Sequence, residues 1–379
     1  MARFVASWGI LGTGSISTKF VNDIQFPPEE RGVTDVAHAI AAVSSRSREK
    51  AAEFIKTKCP SGGLAVKDGL TQFKSVSACQ GREELLADKN VNIVYVGTPN
   101  NAHFDDTKAS IEAGKHVLLE KPATLNAYEF KILSDLAKKK KVFLMEAMWI
   151  RFNPTMYKLQ DLIFKQHAIG EIRTIFADLS ENFLGRGISD EHRVFNPDLA
   201  GGSILDLGPY PLSYAMMLLY HHPKNELSPP QNLTGSVILA HTPVDLTTSF
   251  SMTFPKLKAQ ANLSCSMAYN SPAEAAVRII GSCGEIIIPH PSSRPTKITL
   301  RQRSSENIDD TGEIKESVIE TPMSGWGLQY EADETARCIA AKKLESDRMP
   351  HNETVMTMGI FDKIREIGGY RYPAGLERA

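Results

Sequence analysis

The residues Trp8-Gly9-Ile10-Leu11-Gly12-Thr13-Gly14-Ser15-Ile16-Ser17 form the first pattern along the chain with the means to do chemistry. A Gly-x-Gly-x-x-Ser loop between an apolar run and a helical pattern suits a pyrophosphate. Gly12 permits the tight turn, Gly14 lets the backbone approach the anion, and the amides of Ser15 and Ile16 point at it from a helix N-terminus. Ser17 takes the third position and is still small enough for close helix–strand packing. A second cluster selects the nucleotide. After the run His38–Val43 come Ser44-Ser45-Arg46-Ser47, hydroxyls and a guanidinium where NAD binding calls for a carboxylate. Arg and Ser donors suit a ribose 2′-phosphate, so Ser45 and Arg46 predict NADP as the cofactor.

Such loops work only when a sheet presents them along one edge. Apolar runs at Ser7–Leu11, His38–Val43, Gln72–Val76, Asn92–Thr98, His116–Leu119 and Val142–Met145 read as strands. Between them, Ser17–Ile24, Ser47–Lys58, Arg82–Lys89, Ala102–Ala113 and Ala127–Lys140 read as helices. Strands alternating with helices, several apolar on both faces, predict a Rossmann-type doubly wound parallel sheet over residues 1–148. From Ile172 the pattern changes. Ile172–Ser180, Gly235–Leu239, Leu246–Phe254, Ala259–Met267, Val277–Ile280 and Glu285–Ile288 follow one another with few helices between. Phe250, Met252 and Phe254 would share one face of their strand, and Thr247, Ser249, Ser251 and Thr253 the other. Gly281-Ser-Cys-Gly284 reads as a hairpin turn.

Residues 149–379 are therefore expected to form an α+β domain with a large, mostly antiparallel open sheet. Helices at Glu331–Lys342 and Glu353–Ile367 close the chain, with the option of packing back on the first domain. The uncharged Ser/Thr face suits a second protomer or solvent equally. Arg301–Lys315 reads as an exposed strand edge and turn, and the long loop Phe54–Ala78 is assigned nothing.

Composition narrows the partners. Across 379 residues, 43 Lys and Arg stand against 44 Asp and Glu, so a formal charge of −1 offers no global field to nucleic acid or anionic membrane. Apolar runs fall far short of the ~20 residues that a membrane helix needs. No secretory leader is read at Met1-Ala2-Arg3-Phe4. Cys59, Cys79, Cys265, Cys283 and Cys338 are scattered without ligand spacing, so no disulfide scaffold or metal site is expected, and a reducing, cytoplasmic setting fits.

Two further stretches carry a family likeness. Val94-Tyr95-Val96-Gly97-Thr98-Pro99-Asn100-Asn101-Ala102-His103 and Glu112-Ala113-Gly114-Lys115-His116-Val117-Leu118-Leu119-Glu120-Lys121-Pro122 resemble the Gfo/Idh/MocA oxidoreductases. Thr-Pro-x-x-x-His and Glu-Lys-Pro at this spacing, after a Gly-x-Gly turn, are highly specific in combination. Met148-Trp149-Ile150-Arg151-Phe152-Asn153-Pro154 and the stretch from Asn196 to Pro211 resemble the branch containing dimeric dihydrodiol dehydrogenase and fungal NADP-dependent D-xylose 1-dehydrogenase. The likeness runs over essentially the whole chain. It implies a cofactor site that includes Thr98, Pro99, Asn100, His103, Glu120 and Lys121, and a substrate site drawn from Arg151, Arg193, Asp206 and Tyr210. It also implies a homodimer through the second domain's sheet and a small sugar or diol as substrate. Many members of the family place a His four residues after the aspartate; Tyr210 stands there in this chain, which implies a Lys–Tyr pair.

That pair makes chemical sense. Oxidising a sugar hemiacetal at C1 removes a hydride and a hydroxyl proton, and the proton needs a base. An ordinary tyrosine, with a pKa of about 10, is mostly protonated near neutrality, and a neighbouring ammonium favours the phenolate. Lys121 follows a strand's C-terminal end, where open α/β sheets bind ligands, and the following Pro122 holds it extended. The roles implied are Tyr210 as proton acceptor, Lys121 as the cation assisting it, and Asp206 as a group orienting a sugar hydroxyl or Lys121. His103 has two readings, a ribose contact or a cap on its own helix. Arg151 and Arg193 either line the substrate pocket or form structural ion pairs. The favoured reaction is β-D-xylopyranose to D-xylono-1,5-lactone. The alternatives are a trans-dihydrodiol dehydrogenase, a reductase of sugar-derived dicarbonyls such as anhydrofructose, and a non-catalytic NADP-binding transcriptional regulator.

Overall fold

The computed structural model describes residues 3–59, 75–303 and 314–378. The chain divides into two compact units. One comprises Met1–Trp149, Ser324–Met356 and Glu377–Ala379, and the other Ile150–Met323 and Thr357–Leu376.

The first unit is built on six strands, β1 (Phe4–Leu11), β2 (Val36–Ser45), β3 (Ser77–Gln80), β4 (Ile93–Val96), β5 (His116–Glu120) and β6 (Leu144–Ala147). Their order is β3-β2-β1-β4-β5-β6 and every pairing is parallel, the doubly wound arrangement that the alternating pattern predicts. Helices α1 (Ser15–Ile24), α2 (Arg48–Lys58), α3 (Gly81–Ala87), α4 (His103–Glu112) and α5 (Ala127–Lys140) make the crossovers. Val94, Val96, Val117, Leu119, Phe130 and Leu133 belong to the apolar core of this unit. Another part of the core is aromatic. Phe20 of α1 stacks on Tyr95 of β4 at 3.8 Å between ring centres and meets Trp8 edge-on at 5.1 Å.

The third strand corrects the expectation of Gln72–Val76. It forms at Ser77–Gln80, where Ala78 and Cys79 pair with Val43 and Ser44 of β2, while Ser75 and Val76 are not strand. The remainder of that predicted run, and most of the loop Phe54–Ala78, lie outside the described residues.

The second unit has helices α6 (Pro154–Gln160), α7 (Ser203–Asp206) and α8 (Pro209–Ala215) and an eight-stranded sheet. Its strands are β7 (Ile172–Ser180), β8 (Gln231–Leu239), β9 (Asp245–Phe254), β10 (Ala259–Ser266), β11 (Val277–Gly281), β12 (Gly284–Ile288), β13 (Lys297–Gln302) and β14 (Lys315–Glu320). The order is β14-β13-β12-β11-β7-β10-β9-β8, antiparallel except for the β7–β10 pair. Along β9, Phe250, Met252 and Phe254 are buried and Ser249 is exposed, as strand alternation requires. Arg301 begins no free edge: it pairs with Glu316 of β14, and residues 304–313 lie outside the described set.

Two helices complete the chain, α9 (Leu328–Ala340) and α10 (His351–Ile367). Helix α9 belongs to the first unit and packs on α1, β1 and β2. Asp23, at the end of α1, accepts hydrogen bonds from the amides of Trp326, Gly327 and Leu328 and so caps α9 from 300 residues away in sequence. Asp333 of α9 then receives a bidentate pair from Arg31, at 2.6 and 2.7 Å, and a bond to His38 at 2.9 Å. Burial pushes the Asp333 carboxyl up, but these partners outweigh it and hold its pKa below the ordinary range.

Candidate functional site

In the first unit, β1 ends at Leu11 and the chain turns into α1 through Gly12, whose φ of +101° only glycine adopts freely. A Cβ at Gly12 would lie 2.7 Å from the carbonyl oxygen of Gly97, so the turn also needs the missing side chain. Gly14 caps α1 without any side-chain hydrogen bond, and a Cβ placed there would meet nothing within 4 Å. Space at an uncapped helix N-terminus, beside Ser15 and Ile16, fits an anionic pyrophosphate. Two buried hydroxyls nearby in the fold, Ser17 Oγ and Thr98 Oγ1, have no hydrogen-bond partner among the described residues. Both are donors of the kind a dinucleotide uses, so the donor set fits the group.

At the end of β2, Ser45 Oγ lies 3.1 Å from Thr13 Oγ1. Arg46 follows, exposed and outside the ion pairs of the described residues, whereas Arg48 is bound bidentate to Glu84 at 2.8 Å.

The loop after β4 carries Thr98, Pro99 and Asn100 into a short 3-10 turn and then α4. His103, the first residue of α4, is 1% exposed, and its two ring nitrogens lie 2.7 Å from Pro122 O and 2.9 Å from Thr98 O. Burial lowers its pKa, against the two carbonyls. The ring is thus a strut between the β4 and β5 loops. A neutral imidazole carries one N–H, so the ring donates to one of these two carbonyls. Lys121 sits in the loop it braces, half-buried, with its amide donating to Glu120 Oε2 at 3.1 Å. Glu120 in turn accepts from the Tyr95 hydroxyl on its other oxygen.

In the second unit, α7 and α8 are separate short helices, so Asp206 and Tyr210 lie on either side of a break at Leu207–Gly208 rather than on one continuous turn. The Tyr210 amide donates to Leu207 O at 3.1 Å, and its side chain is 7% exposed. Arg193 grips both oxygens of Asp206, at 3.0 and 3.2 Å. The structural ion pair that was one reading of Arg193 therefore forms, and its partner is the expected substrate-orienting carboxylate. Arg151 is 1% exposed and stands among the largest fully buried side chains.

A residue with no role in the sequence reading anchors this region. Asp245, at the start of β9, accepts from Ser203 Oγ and Ile204 N at 2.6 Å and from Thr248 Oγ1 at 3.0 Å, holding the start of α7. Gly202 makes room for it: φ is +121°, and a Cβ there would fall 2.0 Å from Asp245 Oδ1. The Asp-Leu-Thr-Thr run gave no signal, because an aspartate before a strand ordinarily marks a turn.

Burial raises the Asp245 pKa to about 6, against these hydrogen bonds. A raised carboxyl contributes stability that is full below its unfolded value of 3.8 and lost as pH rises through about 6. Asp245→Asn is therefore expected to flatten the fall in unfolding free energy between pH 4 and 7 by up to ~3 kcal/mol, measured by denaturant titration at each pH. An unchanged pH slope would contradict this.

The comparisons with known proteins bear on the family and the fold. Residues 6–148 match the family model described as "Oxidoreductase family, NAD-binding Rossmann fold", and residues 158–287 match the GFO/IDH/MocA C-terminal domain. The chain is 37% identical to the D-xylose 1-dehydrogenase (NADP(+)) of Hypocrea jecorina, over 98% of this chain and 94% of that protein. It is 30% identical to the trans-1,2-dihydrobenzene-1,2-diol dehydrogenase of Xenopus laevis, over 97% and 99%. Among solved structures, the aldose-aldose oxidoreductase of Caulobacter crescentus superposes with a TM-score of 0.75 at 20% identity, covering 96% of this chain and 97% of that one, which shows the shared fold. From the match of both halves to their family models and the near full-length likeness to these dehydrogenases, the chain belongs to the Gfo/Idh/MocA family of oxidoreductases.

Proposed function

We propose that this chain is an NADP-dependent dehydrogenase that oxidises an aldopyranose at C1, with β-D-xylopyranose going to D-xylono-1,5-lactone. The observation that carries this reading is the 37% identity to D-xylose 1-dehydrogenase (NADP(+)) across nearly the full length of both chains. NADP, when bound, accepts the hydride from the sugar carbon. The chain's own residues do the rest. Gly12, Gly14 and the amides of Ser15 and Ile16 hold the pyrophosphate, and Thr98, Pro99 and Asn100 border the cofactor. Ser45 and Arg46 bind the 2′-phosphate. Tyr210 takes the hydroxyl proton, Lys121 favours the phenolate by its charge, and Asp206, held by Arg193, accepts a sugar hydroxyl. The Ser/Thr face of β9 supports a homodimer through the eight-stranded sheet. No helix among the described residues is long and apolar enough to cross a membrane, and the free cysteines support a cytoplasmic setting.

A panel of aldoses and trans-diols with NADP and with NAD tests the substrate. D-xylose with NADP is expected to give the highest kcat/KM; a preference for trans-dihydrodiols would favour the second reading, which the 30% identity to the Xenopus laevis enzyme supports. For the cofactor, Arg46→Ala is expected to weaken NADP binding by ~10–100-fold, the worth of one charged hydrogen bond, and to leave NAD affinity nearly unchanged. Equal losses for the two cofactors would remove the 2′-phosphate contact.

A further inference from the structure

Four carboxyl groups interact electrostatically in the interior of the first unit: Glu120 from β5, Glu146 from β6, Glu331 from α9 and Asp23 from the end of α1. All are buried, at 5%, 4%, 0% and 1% exposure. Three of them have hydrogen-bond donors. Asp23 takes the first amides of α9, and Glu146 accepts from Ala123 N at 3.1 Å. Glu120 takes the Tyr95 hydroxyl on one oxygen and the Lys121 amide on the other. Neither oxygen of Glu331 has a hydrogen-bond partner among the described residues.

A carboxyl buried with no donor among the described residues favours its neutral form. Its burial, and then the charges of Glu120, Asp23 and Glu146, push its pKa well above the ordinary carboxyl range. Glu331 therefore adds no second charge behind Glu120. The groups facing Glu120 are then Tyr95 from β4, Glu146 from β6, the neutral acid on α9, and Lys121 next in the chain. His103 of α4 faces Lys121 in turn.

We propose that Glu120 is a positioning residue whose carboxylate, relieved of a second charge by the neutral Glu331 behind it, orients Lys121 through its amide and its charge, so that turnover requires Glu120 deprotonated as well as Tyr210. The proposal rests on the assignment of Lys121 and Tyr210 made above. Burial, opposed by the Tyr95 bond and by Lys121, sets the Glu120 pKa at about 7, within reach of a kinetic titration. A group titrating there changes its ionised fraction about tenfold between pH 6 and pH 8.

The pH dependence of kcat for the full chain with NADP and sugar reads this directly. Two required deprotonations give the wild-type acid limb a limiting slope of two in log kcat against pH. Glu120→Gln is expected to reduce the slope to one and to lower the alkaline plateau about tenfold. Tyr95→Phe removes the donor that favours the carboxylate, so its limb is expected to keep a slope of two and move to higher pH. This second variant carries the test if Glu120→Gln does not fold. A Glu120→Gln limb that keeps a slope of two, or a Tyr95→Phe limb that does not move, would overturn the proposal. Tyr210→Phe separates the two failures. If it turns over normally, the base assignment falls; if it is inactive while the Glu120→Gln profile matches wild type in shape, only the role of Glu120 falls.

Discussion

Tyr210→Phe is expected to lower kcat by ~10²–10⁴-fold while NADP still binds, the usual worth of a positioned general base. The substitution deletes one oxygen from a side chain that is 7% exposed at the start of α8, so the packing of the ring is kept. Tyr214, one helical turn later, supplies the control. It is fully buried, its hydroxyl donates to Ser292 O at 2.8 Å, and burial drives its pKa upward, the marks of a structural tyrosine. Tyr214→Phe is expected to lower stability by about 1 kcal/mol, the worth of one hydrogen bond, without changing the shape of the pH–rate profile. Steady-state rates and cofactor titration for both variants check this. Near-normal turnover in Tyr210→Phe would take that residue out of the mechanism.

Lys121→Met is expected to cost ~10–10³-fold in kcat near neutral pH, because an ammonium close to a phenol moves its ionisation by one to three pH units. The loss should shrink as pH rises, since hydroxide then does what the cation did. That recovery distinguishes loss of charge from loss of structure. Met keeps the length and apolar stem of Lys, and the amide of residue 121 can still donate to Glu120 Oε2. The measurement is the pH dependence of kcat in both proteins. A loss that stays constant from neutral to alkaline pH would contradict an electrostatic role.

Local signals were legible and distant ones were not. Periodicity marked α5 at Ala127–Lys140 and β7 at Ile172–Ser180, because helix and strand patterns depend on near neighbours. The turn at Gly12 was readable for the same reason. The misplacement of β3 followed from the weakness of Ser77–Gln80 as a strand signal: it is short and largely small or polar, and its position is set by pairing with β2. The cap of α9 by Asp23 and the hold of Asp245 on α7 join residues about 300 and about 40 positions apart, and no local pattern announces either. Tyr95 did leave a trace, a hydroxyl inside the buried run Ile93–Val96, which had to find a partner and found Glu120. An ion pair was one of the two open readings of Arg193, but its partner Asp206 was not legible, since residue types alone do not tell which carboxylate a guanidinium will meet.

The central claim is that a cation at residue 121 makes the phenol of residue 210 basic enough to accept the sugar's proton. The most direct measurement is an ultraviolet difference titration of tyrosinate in the NADP-saturated protein, with Tyr210→Phe subtracted to isolate one phenol. The account predicts that this phenol ionises below the ordinary tyrosine value of about 10 in the wild type and at least one pH unit higher in Lys121→Met. The same midpoint in both proteins would contradict it.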